Sequence, residues 1–213
     1  MSYLCTQKQK TVRIMQGFTK GFIYFICLVS AMGGVKAVEA RLDSVFALPP
    51  DFDGSFWKGG CTHEVREMQI AGFGQYAHGN QPIQHMIYLY DYVGAPAKTR
   101  KWAHEAMRRL YADRPDGYCG DEDNGQTSAW FVWSAMGMYP VCPGSGEYAL
   151  GLPLFDRVDV SLPQGRLLAI RRQAGANTPK HTWNGVKGER PFVRRQTLLG
   201  GGTLTFEEEA RPE

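Results

Sequence analysis

The 213-residue sequence holds no C-x-x-C pair and no cysteine–histidine cluster with zinc-ligand spacing, which removes the structural-zinc class. Its cysteines are Cys5, Cys27, Cys61, Cys119 and Cys142. An odd number excludes a fully paired intrachain disulfide framework and leaves oxidising and reducing compartments both open. No G-x-S-x-G, Walker A or G-x-G-x-x-G motif follows a strand pattern, so serine hydrolase, nucleotide and dinucleotide chemistry find no support. No apolar run reaches the roughly 20 residues that a membrane-spanning helix needs. An excess of one charge is missing too: 24 Lys+Arg face 21 Asp+Glu, a net +3, which gives no electrostatic footprint for nucleic acid.

What is present suits a packed soluble chain. Hydrophobic residues make up 43% and charged residues 21%, enough apolar surface for a real core. Aromatics reach 12%, which suits either a flat, amphipathic ligand or simply a large core. The first twenty residues carry Lys8, Lys10, Arg13 and Lys20 and no acid, and an apolar run from 22 to 32 follows. That order resembles a signal peptide, and it equally fits a buried core helix.

Apolar spacing predicts helices over 35–46, about 82–93, 97–112 and 127–138. In the first, Val35, Val38, Leu42, Val45 and Phe46 share a face; in the third, Trp102, Ala106, Met107 and Leu110 point inward. The fourth is apolar nearly all round and is expected to be buried. Gly33-Gly34, Pro49-Pro50 and Gly94-Ala95-Pro96 break the chain between helices, while residues 50–62 and 113–124 read as loops. Beyond 147 the pattern changes to short β-branched or alternating runs at 148–150, 157–162, 167–172, 181–184, 192–197 and 203–208. Helices followed by strands predict an α+β chain.

Three clusters can carry chemistry. In Gly120-Asp121-Glu122-Asp123-Asn124-Gly125-Gln126, Asp121 and Asp123 stand two apart, so an extended loop turns both to one side. Such a pair can hold a cation or raise one carboxyl so that it serves as a base. The acids can also simply complement the start of the following helix. In Thr62-His63-Glu64-Val65-Arg66-Glu67-Met68, Met68 replaces the second histidine of a metalloprotease motif, and Glu64 is left as an acid, a base or a ligand for a hard cation. The alternative is a solvated helix face. The third cluster, residues 74–85, packs His78, Asn80, Gln81 and other amides before a helix; amides beside aromatics suit sugar hydroxyls, and they equally suit a helix cap.

These stretches in this order resemble glycoside hydrolase family 92, calcium-dependent inverting exo-α-mannosidases, mostly bacterial and exported. The resemblance is carried by AMGGVKAVEARLDSVF, HEVREM, GQYAHGNQPIQHMIYLYDYVGAPAKTRKW, LYADRPDGYCGDEDNGQTSAWFVWSAMGMYPVCPGSGEYALGLPLFD and GGTLTF. It implies an unmatched segment at 1–30, the C-terminal part of an (α/α)6 catalytic barrel at 31–146, and a small β-strand region at 147–213. It implies catalytic base function at Asp121 and Asp123, and substrate binding at His63, Glu64, His78, Asn80 and Gln81. Calcium would be held by Glu64, Glu67 and Asp123. The substrate implied is a mannose-containing glycan, a mannan or N-glycan with terminal α-linked mannose, α-1,2 foremost, in a periplasmic or secreted setting and with no nucleic acid or nucleotide partner.

One departure matters. The family's general acid is a glutamate in a motif resembling EGNAWQY, about twenty residues before the Met-Gly-Gly turn; here the interval reads TVRIMQGFTKGFIYFICLVSAMGG, without that glutamate. The family's β-sandwich is absent as well. The expectation is an incomplete chain with little activity of its own, or a remnant that binds sugar or calcium without turning it over. An open half-barrel is further expected to expose Trp130, Trp133 and Met136.

Overall fold

The computed structural model describes residues 23–52, 60–174 and 180–208. The basic stretch before residue 22 and most of the 50–62 loop therefore lie outside the described residues. The apolar run forms α1 (Ile23–Ala31). Phe25 is buried in the core and Val29 and Met32 pack against it, while Cys27 and Leu28 are exposed. Gly33 and Gly34, with φ of 87° and 118°, make the turn that only glycine takes without strain. α2 (Val35–Ala47) buries Val38, Leu42 and Phe46, four apart in each step. Val35, expected on that face, sits at the helix start and is 42% exposed. Phe46 stacks on Trp102 with ring centres 4.2 Å apart and planes 12° from parallel.

α3 (His63–Ala71) ends at Gly72, whose φ of 58° gives a left-handed stop. The single helix predicted over 82–93 forms in two pieces, a 3-10 helix (Gln81–Tyr88) and then α4 (Leu89–Tyr92). The Trp130 indole donates to the Gln84 carbonyl at 3.0 Å, drawing off an acceptor that a continuous α-helix would use four residues on. α5 (Pro96–Arg109) buries Thr99, Ala103, Ala106 and Met107. α6 (Gln126–Ala135) corrects two expectations. It is not buried all round, since Val132 is 55% exposed. Trp130, expected to be exposed, is wholly buried against His78, Tyr88 and Tyr111, and Trp133 and Met136 are half-buried because the sheet covers them.

The strands are β1 (Met138–Tyr139), β2 (Glu147–Leu150), β3 (Arg157–Ser161), β4 (Leu167–Ala174), β5 (Lys180–Trp183), β6 (Val186–Lys187), β7 (Phe192–Arg194) and β8 (Gly202–Glu208); β1 takes Met138 from the helix expected over 127–138, and β6 falls outside the expected runs. The run expected at 192–197 stays extended only to Arg194, because Arg195–Leu199 turns into a short helix, α7. β1, β2 and β7 make one antiparallel sheet. The second sheet has the order β3-β4-β8-β5-β6 and is antiparallel except where β4 and β8 run parallel. A helical core and a sheet core result, and Trp133 touches both. The chain is α+β.

Candidate active site

Two turns and the start of α3 meet at the N-terminal end of α6. The turn around Gly79 and the turn around Gly120 approach so closely that a Cβ on either would lie under 3 Å from the other's Cα. The Glu67 carboxylate lies between them, with Oε2 at 2.5 Å from a Cβ built on either glycine. Any side chain at these two positions would push α3 away from the acidic loop. The close approach puts the first turn of α3 beside that loop. His63 Nε2 lies 3.4 Å from Glu64 Oε1 and 3.9 Å from Asp121 Oδ2, bridging the two carboxylates.

Each carboxylate has its own environment. Glu64 is held below the usual range by its own backbone N–H and by the Thr62 hydroxyl. Glu67 is raised, first by burial and then by the charges of Asp121 and Glu64, with His63 opposing. Its Oε2 is buried and has no hydrogen-bond partner among the described residues. Glu122, between Asp121 and Asp123, is lowered by the Ser128 hydroxyl and the Gly125 and Ser128 amides. Its carboxylate accepts from Gly125 N at 2.6 Å and Ser128 N at 3.1 Å, which caps α6. Of the three acids in the loop, the middle one thus serves the helix and its two neighbours stay exposed.

The loop itself is strained. Asp123, Asn124 and Gly125 follow one another at φ of 48°, 56° and 88°. Left-handed backbone costs about 1–3 kcal/mol at a non-glycine residue and survives where surrounding contacts impose it. Here they do. Thr127 N donates to Glu122 O at 3.2 Å and Gln126 N to Asp123 O at 3.1 Å. Gln81 Nε2 donates to the Asp121 carbonyl at 2.8 Å from one side, and Thr127 Oγ1 does so at 3.1 Å from the other.

The expected residues divide accordingly. His63, Glu64, Glu67, Gln81 and Asp121 come together, and Asp123 stands exposed on the same loop. Asn80 is half-buried and starts the 3-10 helix, with its carbonyl accepting from Ile83 N at 3.1 Å. His78, expected to line the substrate, lies instead beneath the site at 2% exposure. Its Nδ1 is 2.9 Å from the Tyr76 hydroxyl and its Nε2 2.7 Å from the Tyr111 hydroxyl, so both ring nitrogens are engaged. Burial pushes its pKa down to about 3, and the ring is neutral. Tyr111 donates onward to the Thr127 carbonyl at 3.1 Å, which fixes His78 as the Nε2–H tautomer accepting from Tyr76. Gln84 and Thr127, buried to 0% and 1%, were not among the expected residues. The signal available for Gln84 was a polar residue one helical turn after Gln81, on a face otherwise filled by Ile87 and Tyr88.

Among the described residues no three His, Cys, Asp or Glu side chains form a group able to hold a metal ion unaided. One feature suits a hard cation: the buried, unpartnered Glu67 oxygen, with Asp121 and Glu64 near enough to raise it.

The family model for the glycosyl hydrolase family 92 catalytic domain matches residues 26–209. The chain belongs to this family. A family 92 inverting mannosidase from Bacteroides thetaiotaomicron VPI-5482 is 46% identical with a TM-score of 0.68, over 84% of this chain and 25% of its own. A second family 92 structure, an α-mannosidase of Bacteroides thetaiotaomicron in complex with mannoimidazole, is 27% identical with a TM-score of 0.69, over 83% of this chain and 23% of its own. An uncharacterized secreted glycosidase of Arthroderma benhamiae is 29% identical over 133 residues, 59% of this chain and 17% of its own length. The chain thus spans about a quarter or less of the relatives it matches. No described helix is long and apolar enough to cross a membrane.

Proposed function

We propose that this chain carries the base-bearing part of an inverting α-mannosidase site, acting on terminal α-linked mannose, α-1,2 foremost, in exported mannan or N-glycan breakdown. The observation that supports this reading is the meeting of Glu64, Glu67 and Asp121 at a strained, pinned loop in a family 92 chain whose relatives include mannosidases. Inversion needs a base that activates water on one face of the sugar and an acid about 6.5–9.5 Å away that protonates the leaving oxygen. Asp121 and Asp123 are exposed carboxylates, free to take a proton from water. Glu64, kept ionised by Thr62 and its own amide, and His63 beside it are placed to accept from and donate to sugar hydroxyls. The barrel of which α2 to α6 form part is an (α/α)6 barrel in this reading, completed by sequence that this chain does not contain.

No residue of the chain is assigned as the acid. The chain alone is then a mannoside binder with little turnover, since losing general acid catalysis costs about 10²–10⁴-fold with a poor leaving group. Hydrolysis of α-1,2-mannobiose by the purified chain checks this. A rate near the usual enzymatic value of about 10 s⁻¹ would show that one of its own carboxylates donates the proton. Joining the chain to the upstream region of a family 92 relative should restore turnover, and Asp123→Asn should then remove most of it.

Calcium is assigned to Glu67, with Glu64 and Asp123 as further oxygen donors; bound there, it would polarise mannose hydroxyls. Its ligands here are a partial set, so its affinity for this chain alone is weak. Calcium, and not zinc, should raise the melting temperature of the chain. Glu67→Gln should abolish that response and, by removing a buried carboxylate, raise the melting temperature without calcium at neutral pH. A variant that keeps the full calcium response would remove Glu67 from the site.

A further inference from the structure

We infer that Thr127 is a positioning residue, whose buried hydroxyl sets the direction of the loop that carries Asp121 and Asp123. The inference rests on the reading of those aspartates as the base-bearing pair. Its geometry is one of forced polarity. Gln84 Nε2 has two protons, and they go to the His78 carbonyl at 3.1 Å and to Thr127 Oγ1 at 3.2 Å. Gln84 Oε1 faces Gln126 Nε2 at 3.4 Å, which agrees with that orientation of the amide. Thr127 Oγ1, having accepted from Gln84, has one proton left, and it goes to the Asp121 carbonyl. A hydroxyl is the one side-chain group of this size that can accept on one side and donate on the other. Valine has the same shape and can do neither.

The carbonyl of Asp121 is therefore gripped twice, by Thr127 from the interior and by Gln81 from the rim. Rotating the peptide that follows Asp121 would break both contacts and swing Glu122 and the left-handed pair beyond it, Asp123 and Asn124. The interior grip is itself anchored. His78 passes hydrogen bonds from Tyr76 to Tyr111, and Tyr111 holds the Thr127 carbonyl. No atom of this relay needs to reach a sugar. Its effect is on where the aspartates point, the kind of support that keeps a reacting group within a fraction of an ångström of its working place.

The test compares Thr127→Val, Thr127→Ser and Gln81→Met in the full chain labelled with carboxyl-¹³C aspartate. Thr127→Val is expected to move the Asp121 and Asp123 carboxyl resonances by more than a line width, and Thr127→Ser to restore them. Gln81→Met, at the rim, should move the same two resonances by less. A purely structural role would lower the melting temperature of Thr127→Val and leave those resonances in place, and that result overturns the inference. If Thr127→Val does not fold, unchanged resonances in Gln81→Met overturn it as well. Failure of the base assignment would read differently: Asp123→Asn would leave turnover of the joined enzyme intact while the resonances still responded to Thr127. If both hold, Thr127→Val in the joined enzyme should cut kcat about 10–100-fold with KM little changed.

Discussion

The helical and the sheet halves of this chain are built to different standards. Every fully buried polar side chain described, His78, Gln84, Asp91, Thr99, Thr127 and Ser134, lies in the helical half. So do the two buried carboxylate oxygens that have no hydrogen-bond partner among the described residues, on Glu67 and Asp91. The sheet core is Met138, Leu150, Leu152, Leu168, Ile170, Val193, Leu198, Leu204 and Phe206. Its charges are paired: Asp159 is shared by Arg157 and Arg171, and the nearly buried Arg172 pairs with Glu208. The sheet half is a conventional brace. The helical half tolerates groups that cost stability, and four of them, Glu67, His78, Gln84 and Thr127, lie under and beside the acidic loop, where a site needs fixed dipoles and a raised carboxyl, while Asp91 and Thr99 pair elsewhere in the core.

The sharpest way to break this comparison is to empty the helical core. Trp130→Ala removes the ring that stacks with Tyr111, packs on His78 and holds the Gln84 carbonyl, and should cost about 3–5 kcal/mol in urea unfolding. Because it also loosens the loop's support, it should abolish the calcium-induced rise in melting temperature. A loss of less than about 1 kcal/mol would mean that the helical half is not the tightly organised one.

Asp91 gives the next largest effect, with a sign that depends on pH. Burial raises its carboxyl well above the ordinary 3.8, with the Thr99 hydroxyl and the Arg100 charge opposing. The folded state therefore holds this proton more tightly than the unfolded chain does. Its contribution to stability is complete below pH 3.8 and falls away as the pH rises toward the raised value. Asp91→Asn keeps an oxygen for Thr99, which donates at 2.8 Å, and should be more stable than the parent by about 1–3 kcal/mol at pH 7, with the gap closing below pH 4. Melting curves across that range check it; a gap that widens in acid contradicts it.

The smallest effect is expected in the sheet. Arg157→Ala removes a guanidinium that is 70% exposed from a pair whose acid keeps Arg171, and should change stability by no more than about 0.5 kcal/mol. A larger loss would show that the sheet's rim is not the passive surface described.

The two halves also differed in how much the sequence disclosed. The longer strands were legible to within about two residues because their pattern is local, and Val193 or Leu204 reads as inward wherever the chain goes, whereas the two-residue strands β1 and β6 are too short to show one. The run at 192–197 failed because Leu198, which α7 buries, continues the apolar pattern in helical spacing. In the helical half the chemistry-bearing stretches were legible as motifs, but the direction of their side chains was not. His78 and Gln81 stand three residues apart in one motif, yet one turns into the core and the other to the rim. Only the rings contributed by Tyr111 and Trp130, from 33 and 52 positions further on, decide that, and no local spacing encodes them. The same holds for Thr127, whose hydroxyl looks like a helix-start residue until Gln84 is placed behind it.

The order of strands has a bearing on how the chain is made. β8 lies in the middle of its sheet, between β4 and β5, and its partner residues in β4 precede it by 34 positions. During synthesis β3 and β4 can zip together as soon as they emerge, and β5 and β6 can do the same, but the two hairpins have nothing between them until Gly202–Glu208 has left the ribosome. Until that moment β4 and β5 each present a bare edge, and Leu168, Ile170 and Trp183 lack Leu204 and Phe206 from their cluster. The strand that arrives last is the keystone, and the long-range parallel pairing it must find is the slowest kind of contact to close.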